Sequence, residues 1–400
     1  MALLLVEEAL ERLVAGAEPL AAEILCIDDA SDRVLAEPLK ALRTQPPFPA
    51  SAMDGYAVRA ADLNPGVRLA VIGEAPAGMP FGGAVGPGQA VRIFTGSEVP
   101  EGADTILIQE NARRLDRDTI EVLETAATGR HVRRAGLDFE NGDTLLDKGR
   151  ILDAAALSLA AAANHASVRV VKRPLVAIIA TGDELLPPGS TTGPGQIIAS
   201  NGYGVAAIAR ASGADIRDLG IVRDDRDTIA ARIRDALVAE ADIIVTLGGA
   251  SVGDHDLVNE VLTGVGMELD FWKIAMRPGK PLMFGRVGST RVLGLPGNPV
   301  STLVCSHLFL KPLVAALAGR HFAADIREAR LDSAMDANDQ RQDYVRAAVS
   351  TDAQGLLVTP FGIQDSSMLK ILADANGLII RPPHAPAAPA GTPVQVLMLR

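Results

Sequence analysis

Residues 241–256, ADIIVTLGGASVGDHD, decide the architecture together with 272–285, WKIAMRPGKPLMFG, and 291–301, RVLGLPGNPVS. Residues 243–247 are apolar and β-branched, the pattern of a strand buried on both faces. They run into Gly248, Gly249, Ala250, Ser251, Val252, Gly253 and Asp254. Glycines there let backbone N–H groups approach an anion, which makes the turn a phosphate cradle with Asp254 on Mg²⁺ or on a ligand hydroxyl. The bland alternative is a strand-to-helix turn that needs glycine for geometry alone. Residues 293–295 form a second strand. Pro296, Gly297, Asn298 and Pro299 turn it into a helix over 300–317, with Asn298 as N-cap and Pro299 at the first helical position. Between them, Arg277-Pro278-Gly279-Lys280-Pro281 offers two cations on a stiffened backbone, an anion site if they are not simply surface charges.

The same texture extends outward from residue 173. Strands are predicted at 175–180, 216–222, 242–247, 273–275, 282–284 and 291–295. Helices are predicted at 202–212, from 226 to 240, at 257–262 and at 300–317. Alternation of apolar strands with helices specifies a parallel or mostly parallel α/β sheet. Ligands of such sheets bind beyond the carboxyl ends of the strands. The turns at 181–184, 224–225, 248–254 and 296–298 each follow a strand and so share one rim. Thr181 and Glu184 belong to it, although Asp183 and Glu184 also read as a helix start, and Asp225 equally as an N-cap.

Upstream, helices are predicted at 6–13 and 19–25, with strand-like pieces over 26–42. Gln45-Pro46-Pro47-Phe48-Pro49 excludes both helix and central strand. Beyond it, 48–138 is β-rich, with runs at 67–73, 89–94, 105–109 and 119–122. It reads as an insertion between two halves, 1–47 and 139–172, of a small α+β domain containing a helix at 151–164 and a strand at 168–171. Taken locally, Asp54 and Thr95 are turn residues. Downstream of the α/β domain (173–320), residues 321–400 carry strands at 344–349, 356–359, 378–381 and 394–399, a small barrel or sandwich. Arg346 within a strand and Asp365-Ser366-Ser367 before a helix start are its polar spots.

Composition narrows the function. Hydrophobic residues make up 48% of the 400 and charged ones 22%, so the chain can fill large cores. A net charge of −11 with 3% aromatics speaks against a nucleic-acid binder. It also means that bound anions need locally gathered cations. Cys26 and Cys305 form no CxxC and are expected as thiols. The first residues carry no basic leader, and 154–163, taken as the longest apolar stretch, is too short to span a bilayer. The expectation is a soluble, cytoplasmic protein.

Six motifs, PPFPASAMDGYAV (46–58), RIFTGSEVPEGAD (92–104), ATGDEL (180–185), TLGGASVGDHD (246–256), MRPGKP (276–281) and GLPGNPVS (294–301), closely resemble the MoeA family in this order. That family comprises molybdopterin molybdenumtransferases, related to the E domain of gephyrin and of its plant counterpart. The resemblance implies a four-domain homodimer whose α/β domain is similar to the MogA adenylyltransferase fold. Its cleft would lie between that domain of one subunit and the β module of the other. It implies insertion of molybdenum from molybdate into adenylylated molybdopterin, with Mg²⁺ present and AMP released. By motif, Asp54, Thr95, Asp138, Glu184, Asp225, Asp254 and Lys273 match the family's functional positions. Thr181, Gly248, Gly249, Ser251, Pro296, Gly297 and Asn298 would face the adenylylated pterin. Arg277, Lys280, Ser301, Arg346 and Ser366 or Ser367 would face molybdate, and Asp254 and Glu184 would hold Mg²⁺. Transient contacts with a MogA-like adenylyltransferase and with apo-molybdoenzymes are implied as well. Departures are Arg277 where some members carry lysine, Leu137 where an acidic residue often stands, and Lys370 and Ile371 where serines are common. The rival readings are a molybdopterin adenylyltransferase and a gephyrin-like scaffold with vestigial catalysis.

Overall fold

The structure is a computed structural model and describes residues 3–248 and 257–399. The chain forms two compact units, one of Met1–Glu23, Asp32–Ala36 and Val170–Arg400, the other of Ile24–Ser31 and Glu37–Arg169. It is a multidomain α/β plus β fold.

In the larger unit a six-stranded sheet has the order Asp215–Val222, Leu175–Thr181, Ile243–Leu247, Thr290–Leu295, Met283–Val287, Glu268–Trp272. The first four strands are parallel, Met283–Val287 pairs antiparallel with the fourth, and Glu268–Trp272 pairs antiparallel with Met283–Val287. Ile243–Leu247 is buried along its whole length, as a central strand covered on both faces must be. Helices Asn201–Ala211, Arg226–Val238 and Leu257–Gly264 connect the strands.

The segment Pro299–Leu317 is helical throughout, with a π turn at Ser306–Leu310. By length and composition it could cross a membrane, and 72% of its window is buried inside the structure. This corrects the choice of 154–163 as the longest apolar stretch. Val300, Val304, Phe309 and Leu313 put that apolarity into the main core. Val6, Ala9 and Leu13 of the first helix, Val6–Val14, join the same core, and Met1–Glu23 belongs to the larger compact unit.

The last strands close on themselves. Gln342–Asp352 pairs with Gly355–Pro360, then come Ile326–Leu331, Pro393–Met398 and Gly377–Arg381, which returns to Gln342–Asp352. Closure of five strands removes the free edges a small sheet would expose. Ile326–Leu331, half exposed and unannounced by its sequence, completes the ring.

Two further expectations are corrected. A helix at 19–25 is replaced by the strand Ala22–Cys26, after Leu20 N–H donates to Leu317 O. The strand predicted at 273–275 lies instead at Glu268–Trp272. Ile274 bridges Leu4, and Met276–Arg277 pairs with Gln342–Asp343 of the barrel. Ile274 and Ala275 are thus buried without belonging to a strand of the sheet, and Ile274 packs in the main core.

The smaller unit holds a six-stranded sheet ordered Thr105–Ile108, Gly55–Val58, Gln89–Ile93, Arg68–Ala75, Thr119–Val122, Ala112–Arg114. Its helix Ala154–Ala162 is capped by Asp153, whose carboxylate accepts from Ala156 N–H at 2.9 Å. Cys26 and Cys305 are free thiols.

Candidate active site

In the larger unit the chain leaves Leu175–Thr181 for Asp215–Val222 on one side and returns to Ile243–Leu247 on the other. Strand order reverses there, and the carboxyl ends of the strands open outward from that switch point. A cavity of about 1010 Å³ occupies the place. Thr181, Gly182 and Glu184 come from the first turn, Asp224 from the second, Gly248 from the third, and Pro296, Gly297 and Asn298 from the fourth. Ser367 joins them from the barrel, and Leu185, Ile197 and Ile198 form an apolar side.

Two features mark this space as built for a ligand. Gly248 has φ +89°, and a Cβ there would stand 2.9 Å from Thr181 O. Only glycine allows the two turns to approach so closely. Beside it, the Thr181 hydroxyl is buried and has no hydrogen-bond partner among the described residues. An orphaned hydroxyl facing a cavity calls for a partner supplied from outside the chain.

Charge on the rim is negative. The Asp224 carboxyl is pushed above its usual range, first by burial and then by the neighbouring charges of Asp183 and Glu184. Asp225 points elsewhere. Its Oδ1 accepts from Thr228 N–H at 2.8 Å and Thr228 Oγ1–H at 2.6 Å, which caps the helix Arg226–Val238 and lowers its pKa. The doublet thus divides its labour, and the carboxylate in the cavity wall is Asp224, which the motif reading passed over. Asp183 and Glu184 start no helix; they sit in a turn whose Glu184 O accepts from Ile197 N–H. Among the described residues no group of three or more His, Cys, Asp or Glu could enclose a metal ion. A cation shared by Glu184, Asp224 and ligand oxygens still fits, because Mg²⁺ commonly takes only one or two carboxylates and leaves its other positions to phosphates and water.

The remaining expected positions of the larger unit, those for the oxyanion among them, divide by environment. Arg277 is already neutralised, its Nε donating to Asp343 at 3.0 Å and its Nη2 bonding the same oxygen, with Asp339 3.5 Å away. Lys273 and Lys280 are exposed, and neither forms an ion pair among the described residues. Ser301 is buried in the first turn of its helix. Arg346 is 1% exposed, with Nε on Gln364 and Nη1 on Asp365 O. Asn298 holds the cap position without capping its helix by its side chain; its Nδ2 donates to Ser366 Oγ at 2.9 Å. Gly249, Ser251 and Asp254 lie outside the described residues.

The smaller unit carries the remaining candidates. Asp54 Oδ1 accepts from Thr95 N–H at 2.7 Å and Thr95 Oγ1–H at 2.8 Å, and these bonds hold its carboxyl below the usual range. Asp138 lines a second cavity, about 510 Å³, with Arg43, Arg133, Phe48 and Gly96. Ser51 ties the two places together, bonding both Ser97 and Gly96 while pairing with Val132.

Comparison with known proteins agrees over almost the whole chain. The MoeA N-terminal region (domain I and II) matches residues 4–164, a "Probable molybdopterin binding domain" matches 177–316, and the MoeA C-terminal region (domain IV) matches 328–399. The molybdopterin molybdenumtransferase of Haemophilus influenzae is 35% identical over 373 residues, 90% of either chain. That of Bacillus subtilis is 35% identical over 405 residues, 99% of this chain and 94% of the relative. A crystal structure of the molybdopterin biosynthesis MoeA protein from Pyrococcus horikoshii superposes with a TM-score of 0.85 at 31% identity, covering 100% of both chains.

Proposed function

Because the chain belongs to the MoeA family of molybdopterin molybdenumtransferases, and so acts in molybdenum cofactor biosynthesis, we propose that it takes adenylylated molybdopterin and molybdate and releases AMP as molybdenum enters the dithiolene. The observation that carries this reading is the Thr181 hydroxyl beside Gly248, buried and unpartnered among the described residues, in a cavity large enough for a nucleotide-sized ligand.

The chemistry follows from the wall. Backbone at Gly248 and the Thr181 hydroxyl would meet phosphate oxygens. Glu184 and Asp224 would repel those oxygens unless a cation stood between them, and Mg²⁺ on these two carboxylates would neutralise the pyrophosphate. Asp254 belongs to the same metal set by its motif. Molybdate is a dianion and wants cationic and hydroxyl donors. Lys280, without an ion pair among the described residues, offers positive charge, Ser366, Ser367, Ser301 and Arg346 complete the set, and Arg277 serves once its pairing with Asp343 loosens. The reading extends to a cytoplasmic homodimer in which a second copy supplies Asp54, Thr95 and Asp138. The adenylyltransferase that makes the substrate and the apo-enzymes that receive the product are its transient partners. On this reading the enzyme works mainly by positioning reactants and stabilising charge.

The test is AMP release from adenylylated molybdopterin, with and without molybdate and Mg²⁺, for wild type, Glu184→Gln and Asp254→Ala. We expect release that depends on both additions and falls by about 10²-fold or more in each variant. Release indifferent to molybdate would leave a nucleotide hydrolase. ATP consumption on free molybdopterin would assign the adenylyltransferase instead.

A further inference from the structure

The loop 361–368, FGIQDSSM, joins strand Gly355–Pro360 to helix Leu369–Asp374 and has no regular structure of its own. It is nevertheless tied to the cavity wall. Pro299 has no N–H, so the Val300 amide is the first on its helix that needs an acceptor. It donates to Ser366 O at 3.1 Å. Asn298 Nδ2 donates to Ser366 Oγ, so the helix entering the wall is capped from the barrel rather than by its own cap residue. The next residue, Ser367, lines the cavity, with its N–H and Oγ–H both donated to Asp365 Oδ1, at 2.8 Å and 2.5 Å.

One side chain of the loop makes four hydrogen bonds that fix its register. Gln364 Oε1 accepts from Arg346 N–H at 3.0 Å and Arg346 Nε–H at 3.1 Å. Gln364 Nε2 donates to Arg346 O at 3.1 Å and to Phe361 O at 2.7 Å. Two donors face the oxygen and two carbonyls face the nitrogen, so the amide can sit only one way round. Arg346, buried in strand Gln342–Asp352, adds Nη1 to Asp365 O at 2.7 Å and accepts Phe361 N–H at 3.0 Å. Gln364 itself does not line the cavity.

We infer that Gln364 is a positioning residue, clasping the loop to Arg346 so that Ser366 caps the helix at Val300 and Ser367 stands at the oxyanion side of the cavity. This rests on the proposed function for its kinetic consequence and on geometry alone for the clasp. A glutamate cannot replace it, because a carboxylate would accept from Arg346 while facing the carbonyls of Arg346 and Phe361 with no proton to donate.

Two measurements on the full chain test the inference. Hydrogen exchange in Gln364→Ala should accelerate at 361–368 and at the Val300 amide while the barrel strands keep their protection. The KM for molybdate in AMP release should rise about tenfold with kcat within about twofold, since loosening a positioning contact withdraws donors from the bound anion. Gln364→Glu should behave alike. In a Ser367→Ala background, Gln364→Ala should add little, because both changes act on one group. Unchanged exchange in the loop overturns the clasp. A KM rise undiminished in the Ser367→Ala background overturns the route through Ser367. If wild type releases no AMP in response to molybdate, the functional reading falls, and the exchange measurement still decides the clasp.

Discussion

Asp224 and Asp225 are chain neighbours with opposite electrostatics. Asp225 accepts two hydrogen bonds in its ionised form and sits low; Asp224 is partly desolvated against Asp183 and Glu184 and sits high. The signs of the two pH dependences therefore differ. A carboxyl raised in the folded state weakens folding as pH climbs through its titration range, and one lowered in the folded state strengthens it there. Asp224→Asn should raise the melting temperature near neutral pH and converge with wild type in acid, below the ordinary carboxylate range. Asp225→Ala should lower the melting temperature near neutrality, with that loss shrinking in acid as the wild-type cap protonates. Thermal unfolding between pH 3 and 7 checks both, and parallel curves for the two variants would refute the assignment. A DD doublet after a strand could not disclose this division from sequence. Which carboxylate turns inward is decided by Thr228, three residues further on.

At the scale of elements, local pattern was a good guide where burial is local. The mostly apolar runs at 243–247 and 291–295 read as strands, and both strands are buried along their whole length between neighbours on both faces. Pattern failed where a distant partner decides. Ala22–Cys26 reads as helix until its pairing is known, Ile274 bridges Leu4 instead of entering the sheet, and Ile326–Leu331 is a strand that closes the ring. The clasp was illegible for the same reason, since nothing local links Gln364 to Arg346, 18 residues away. Helix Pro299–Leu317 carries a further consequence. Burial and nearby Lys311 push the His307 imidazole down to about 4, so it is neutral in the fold while the unfolded chain takes up a proton below its ordinary 6.5. Stability should therefore fall as pH drops from about 6.5 to about 4, by up to about 3 kcal/mol, and level off below. His307→Gln should flatten that limb in denaturant titrations across this range, and an unchanged slope would show that His307 is not its source.

The positions carried over by motif fall in two compact units, Asp54, Thr95 and Asp138 in one, Glu184, Asp225 and Arg346 in the other. A chain that completed its site alone and a dimer that completed it with a second copy would carry the same side chains, so sequence cannot separate them. Mixing can. Asp54→Ala and Glu184→Gln should each be nearly inactive alone. If a second copy supplies Asp54, a mixed dimer holds one site with both substitutions and one with neither. Random exchange makes about half the dimers mixed, each with one intact site, so about a quarter of wild-type AMP release should return after the two variants are unfolded and refolded together. If each chain completes its own site, every site carries one lesion and refolding together restores nothing. Sedimentation of the refolded mixture supplies the control, because an absence of dimers would overturn the shared site irrespective of the activity recovered.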